Sequence, residues 1–171
     1  MSNNSTAVEM FIKGSSAFSD CSYGVSVDDF SRAIRLDPEF SLAYLSRAVA
    51  KLKLGNLREA VGDFTKYIEL NPDKAKGYHM RGLAYLDMRD YDKAIADFDK
   101  AIEMNSGYGV AYLSRGTAHS EAGNTEQAEK DLTIATRMGE RAGFDFMMEY
   151  NIPWRNYVDV KEEDIFPEQD W

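Results

Sequence analysis

The side chains in this 171-residue sequence that titrate nearest neutral pH, or attack as thiolates, are few and scattered: His79, His119 and a single cysteine, Cys21. A histidine serving as a general base needs a third group to orient its ring, and no group is placed to do so for either one. Cys21 has no second cysteine to pair with and no cationic cluster to hold its thiolate, so it reads as an ordinary thiol near a turn. The chain carries no glycine-rich phosphate loop, His-Glu-x-x-His pair, paired cysteines or Gly-x-Ser-x-Gly elbow. The sequence therefore predicts no enzyme, no catalytic residue, no metal and no cofactor. Arg47, Arg81 and Arg115 stand out because they recur every 34 residues. Guanidinium groups at that interval are expected to bridge adjacent helices through their stems and to pair with acids at the turns.

The interval belongs to the whole chain. Tyr44, Tyr78 and Tyr112 fall in register, as do Ala60, Ala94 and Ala128, and then Phe64, Phe98 and Leu132, with no gaps. A weaker copy lies upstream, where Gly14, Ser26, Phe30, Ala33 and Pro38 precede their counterparts by the same 34 residues. A fixed period of this length marks a stacked array of units, each unable to bury its apolar face alone.

Each copy reads as two helices joined by a turn. In Leu54-Gly55-Asn56-Leu57 and Glu121-Ala122-Gly123-Asn124-Thr125, glycine supplies the left-handed residue that ends one helix and asparagine caps the next. Glu59 and Gln127, three residues on, are expected to complete capping boxes. The third copy uses Arg89-Asp90, and Ser22 stands at the cap position of the first. Gly14, Ala48, Gly82 and Gly116 on first helices face Ser26, Ala60, Ala94 and Ala128 on second helices, where backbones must approach. Phe30, Phe64 and Phe98, followed by Ile34, Ile68 and Ile102, fill the space between neighbours. Asp37-Pro38 and Asn71-Pro72 close two units. Ser106-Gly107-Tyr108-Gly109 replaces the proline at the next junction, which is expected to be the most flexible link.

The tract from Ala43 to Pro72, and again from Lys76 to Asn105, resembles the tetratricopeptide repeat family in its aromatic, small, small, aromatic, small signature. The resemblance covers about residues 7 to 142 and implies an all-α fold: a right-handed superhelical solenoid of antiparallel helix pairs with a concave groove. The expected organisation is a four-unit domain over 1–142, with units at about 7–40, 41–74, 75–108 and 109–142. The rest of a capping helix and an acidic, aromatic tail follow over 143–171. Tyr67 departs from the pattern, standing where Ala33, Ala101 and Ala135 are small, and the fourth unit has a more polar second helix.

The resemblance implies non-catalytic binding of peptides or protein segments, with the first helix of each unit presenting one stripe inward. On helical spacing the groove would be lined by Phe11; by Leu42, Leu45, Val49 and Leu52; by Lys76, His79, Leu83 and Leu86; and by Val110 and Leu113, with Val8 at the near end. Most of these are apolar, and a contiguous apolar strip is rarely left in water. Co-chaperones of the family hold acidic chaperone tails with a carboxylate clamp of Lys, Asn, Asn, Lys and Arg. Those positions fall here on Phe11, Ser15, Ser46, Lys76 and Met80, and only Lys76 matches. In the alternative register they fall on Leu45, Val49, Met80, Val110 and Ser114, with no match. The groove is thus expected to take an apolar or amphipathic-helical segment of a protein partner rather than an acidic one.

The net charge of −9 argues against nucleic acid, whose affinity comes from cations on phosphates. No apolar run approaches a membrane span, and Met-Ser-Asn-Asn-Ser is no signal peptide, so the expectation is a cytoplasmic protein without membrane attachment. Nine of the acids, against three bases, lie between Glu140 and Trp171, a net of −6. After an expected closing helix from about Glu140 to Tyr150, Asn151-Ile152-Pro153 breaks the pattern, yet the tail holds Trp154, Tyr157, Phe166 and Trp171. Disordered tails are poor in such residues. Trp154 and Tyr157 would cover the closing helix, or the tail would dock on a repeat surface. That surface would be its own groove, giving an autoinhibited module, or a neighbouring molecule, giving a homo-oligomer.

Overall fold

A computed structural model describes residues 3–139, which form eight α-helices and, among the described residues, no strand. They are α1 (Asn3–Ser19), α2 (Tyr23–Leu36), α3 (Ser41–Lys53), α4 (Leu57–Leu70), α5 (Ala75–Asp87), α6 (Tyr91–Met104), α7 (Gly109–Glu121) and α8 (Thr125–Arg137). Each packs most extensively on its chain neighbours, above all within the pairs α1·α2, α3·α4, α5·α6 and α7·α8. This is the contact pattern of an all-α repeat solenoid. No described helix is long and apolar enough to cross a membrane.

The core follows from the spacing of aromatic and small residues. Phe30, Phe64 and Phe98 are 1%, 0% and 0% exposed, and their rings press on the first helices at the small positions. A Cβ added to Gly82 would lie 2.6 Å from Phe98 Cε1, and one on Gly14 would lie 2.8 Å from Phe30 Cδ1. Glycine is required there by close approach rather than by its own backbone angles.

All four turns within pairs hold a left-handed residue at the same register, but two do so without glycine: Cys21 has φ +57° and Arg89 φ +59°, beside Gly55 and Gly123 at +77° and +84°. Asn56, Asp90 and Asn124 precede their helices as expected, yet the capping boxes do not form. The ψ angles of these residues are 58–71°, well short of extended geometry, and their side chains make no cap hydrogen bond. The Glu59 carboxylate instead lies 3.3 Å from Lys51 Nζ.

The junction without proline uses the same side-chain turn as the first one. Asn105 Oδ1 accepts from the Gly107 amide at 3.0 Å, as Asp37 Oδ1 does from Glu39 at 3.0 Å. Tyr108 is further anchored on His79, so this link is tied into the stack on both sides. The expected closing helix and tail lie outside the described residues.

Candidate functional site

The stripe expected to face inward divides into three parts by accessibility. Leu45, Leu83, Leu86 and His79 are buried at 7%, 5%, 5% and 2% exposure, and the three leucines belong to the same core cluster as Phe64 and Phe98. Phe11, Val49, Leu52, Val110 and Leu113 are half-buried, and Leu42 and Lys76 are exposed. Phe11 lies between two other rings, with centroids 5.4 Å from Phe30 and 4.9 Å from Phe40. The stripe is not the open apolar strip that the sequence suggested, because Leu45, Leu83 and Leu86 are drawn into the core cluster with Phe64, Tyr67 and Phe98 of the second helices.

Three of the large apolar side chains exposed among the described residues lie on the first helices of the first two units, while Val25, Leu54 and Met138 are exposed elsewhere. Val8, Ile12 and Leu42 are 41%, 61% and 50% accessible. Val8 and Ile12 are four residues apart and share a face of α1, while Leu42 occupies the register of Val8 on α3. The third unit places the ammonium of Lys76 in that register. Ile12 escaped the sequence reading because its counterparts Ser46 and Ser114 are polar and Met80 is core.

His79 does not present itself to a partner, contrary to the expectation from its place in the stripe. Its Nε2 shares a 3.0 Å hydrogen bond with Ser114 Oγ and its Nδ1 a 3.3 Å bond with Tyr108 Oη, both in the following unit. Its ring meets Tyr108 edge-on at 5.2 Å. Burial, with a smaller effect from the Lys76 ammonium, pushes its pKa down to about 4. The ring is therefore a neutral strut between units. His119 is more peripheral, with Nδ1 3.5 Å from Asn124 Nδ2 at the start of α8.

At the far ends of α5 and α7, Asp87 and Glu121 continue the inner register with negative charge. Partial desolvation and the neighbouring Glu121 carboxylate raise the Asp87 carboxyl above its usual range, although Asp87 stays on the exposed surface. The candidate face is thus apolar on α1 and the start of α3, carries Lys53 at the end of α3 and Lys76 at the start of α5, and is acidic at the ends of α5 and α7.

The periodic arginines hold these first helices in place, and their partners lie in the middle of second helices rather than at turns. Arg47 donates through Nε and Nη2 to Asp63 at 2.8 and 2.6 Å, and through Nη1 to Ser31 of the preceding unit at 3.0 Å. Arg81 repeats this with Asp97 and Thr65, and Arg115 with Asp131 and Asp99. Each guanidinium also lies over the tyrosine three residues before it, at 5.4–5.8 Å. Asp63, Asp97 and Asp131 are 6%, 6% and 3% exposed. They recur at the same 34-residue period as the arginines, a signal present in the sequence.

Of the five clamp positions in the first register, only Lys76 is a cation; Met80 is buried and Ser15 Oγ donates to the Phe11 carbonyl. Among the described residues, no three His, Cys, Asp or Glu side chains are grouped to hold a metal ion. Cys21 is exposed and free. The tail positions Trp154, Tyr157, Phe166 and Trp171 lie outside the described residues.

Comparison with known proteins agrees with this architecture. Models of the tetratricopeptide repeat match residues 14–75 and 75–108, together more than half of the chain. A crystal structure of MamA is similar with a TM-score of 0.74 at 24% identity, over 81% of this chain and 81% of that one. The Arabidopsis OM64 TPR domain gives 0.66 at 26%, over 69% and 98%. The first TPR of Spaghetti (RPAP3), bound to the HSP90 peptide SRMEEVD, gives 0.67 at 21%, over 70% and 95%. No protein of curated function matches the sequence.

Proposed function

Because this chain belongs to the tetratricopeptide repeat family, we propose that it is a non-catalytic interaction module, an adaptor or scaffold whose inner face binds an apolar or amphipathic-helical segment of another protein. The observation that carries this reading is the exposed set Val8, Ile12 and Leu42 on two adjacent first helices. Such a face suits an amphipathic helix whose anchors repeat at three- and four-residue spacing. The peptide held by the Spaghetti domain shows that this fold accommodates a segment, but that peptide is acidic, and the corresponding positions here offer one cation. An apolar ligand is the better match, and nucleic acid is disfavoured by the net charge of −9.

The test is selection of binders from a display library of random 16-residue peptides on the immobilised full chain, repeated on an Ile12→Glu, Leu42→Glu variant. Both residues are exposed, so the helices should fold unchanged, whereas Leu45 and Leu83 are core and unsuitable as probes. Recovery of apolar or amphipathic peptides by the unaltered chain, lost in the variant, is the expected result. Equal recovery by both would remove the inner face as the site. Recovery only after the chain is shortened to Tyr150 would favour the competing reading, in which the chain's own tail fills the groove as an autoinhibited or self-associating module.

A further inference from the structure

Three of the four helix pairs are clasped by the same ion pair. Arg47, Arg81 and Arg115 on the first helices each make a bidentate bond to Asp63, Asp97 or Asp131 on the second. The first pair keeps the acid, Asp29, but has Lys13 at the arginine register. An ammonium cannot form the two parallel bonds that a guanidinium forms, and Lys13 turns to Glu9 on its own helix at 3.0 Å. Asp29, 9% exposed, is left with Arg32 Nη1 at 3.1 Å, also from its own helix. Ser26 stands where the other pairs have Ala60, Ala94 and Ala128; it is fully buried, and its Oγ makes no hydrogen bond with any described residue. In the fourth pair these two registers lie against the first helix, since a Cβ on Gly116 would be 3.2 Å from Asp131 Cβ and 3.3 Å from the Ala128 carbonyl oxygen. By that register Asp29 and Ser26 face α1. Among the described residues, no side-chain hydrogen bond or ion pair joins α1 to α2 or α3.

We propose that α1 is a hinged helix, which swings off α2 and α3 as one body at a free energy below that of global unfolding, baring Phe30 and Phe40. What holds it closed is apolar and one-sided. Phe11 packs between Phe30 and Phe40, and Gly14 lies against Phe30, while Glu9, Ile12, Lys13 and Ser16 face solvent. At the registers of Glu9 and Ser16, Ala43, Ala50, Ala111 and Ala118 are 0% exposed, because α3 and α7 pack on a preceding second helix that α1 lacks. Opening hydrates the Asp29 carboxylate and the Ser26 hydroxyl, whose burial without an adequate partner works against the closed state. It also frees Cys21, in the turn between the helices, from its left-handed angle of φ +57°. Subglobal openings of this kind fall where few directional contacts hold an element. The opening belongs to the chain itself and stands independently of the reading of the inner face, although a segment spanning Val8 and Ile12 on α1 and Leu42 on α3 would favour the closed state.

Hydrogen exchange of the full chain under native conditions, read by mass spectrometry, tests this. Amides from Phe11 to Ala17 are expected to exchange about a hundredfold or more faster than those of α5 and α6. Lys13→Arg supplies the missing fork, and should slow the α1 amides by about tenfold while leaving α5 and α6 unchanged. Ser26→Ala, which removes the buried hydroxyl, should act in the same direction. In an Asp29→Asn background the gain from Lys13→Arg should vanish. Protection of α1 equal to that of α5 in the unaltered chain would overturn the proposal. So would unchanged α1 exchange in the Lys13→Arg chain, a slowing shared by all the helices, or a gain that survives Asp29→Asn.

Discussion

Tyr67 occupies the space that Gly77 vacates: a Cβ on Gly77 would lie 3.0 Å from Tyr67 Cδ1 and 2.8 Å from Ile68 Cγ1. At the same registers other units pair a small residue on the second helix with alanine on the following first helix, Ala33 with Ala43 and Ala101 with Ala111. The exchange explains how a tyrosine, 6% exposed, is accepted at a small position, and it makes the junction between the second and third units sterically specific.

Gly77→Ala should accordingly destabilise the fold by about 1–2 kcal/mol, overpacking outweighing the gain in helix propensity. In a Tyr67→Ala background the same change should become stabilising by about 1 kcal/mol. Urea titration of the four chains checks the reversal of sign; a loss of equal size in both backgrounds would disconnect the two residues.

The arginine bridges predict a second asymmetry. Arg81→Met leaves Asp97, 6% exposed, buried without its bidentate partner, and should cost about 3–5 kcal/mol. Arg81→Met with Asp97→Leu should recover most of that, because the unpaired carboxylate is gone. Chemical denaturation of both chains distinguishes this from a simple loss of packing, which the double change would worsen.

The neutral His79 strut makes stability fall on the acid side. Its folded pKa, about 4, lies below the unfolded value of about 6.5, so between these limits the unfolded chain binds the extra proton. The His79 contribution is full above pH 6.5 and is lost as pH falls towards 4, by about 3 kcal/mol over the window. His79→Gln should flatten that part of the stability profile relative to the unaltered chain. Parallel profiles would show that other groups set the acid limb.

Cys21 sits at φ +57° where Gly55 and Gly123 stand in other units. Replacing it with glycine should stabilise the chain by about 1 kcal/mol, since the left-handed strain of a Cβ exceeds the added freedom of the unfolded chain. Thermal melts of Cys21→Gly check this, and a fall in stability would contradict it.

The period made most of the fold legible. Phenylalanines, small residues and the eight helices fell where the 34-residue register put them, because each unit solves the same packing problem. The capping boxes were misread because composition shows which residue stands at a cap, while its ψ angle, set by the tertiary turn, decides whether the side chain reaches the amide. The stripe of first-helix residues was legible as a stripe. Which members would be buried was not, because Leu45 and Leu83 join a cluster with Phe64 and Phe98 of the second helices, a contact that spacing within one helix cannot weigh. The acids opposite Arg47, Arg81 and Arg115 were visible at the period but were sought at the turns.

Binding of a protein segment by the inner face of α1 and α3 can be read from fluorescence anisotropy of a labelled library-selected peptide titrated with three full chains: unaltered, Ile12→Glu with Leu42→Glu, and, as a control away from that face, Leu54→Glu with Arg58→Glu. The first substitution pair should weaken binding by about tenfold or more, the loss of one apolar anchor site, and the second should leave it intact. Equal affinity for the unaltered and Ile12→Glu, Leu42→Glu chains, with both folded, would contradict binding at this face.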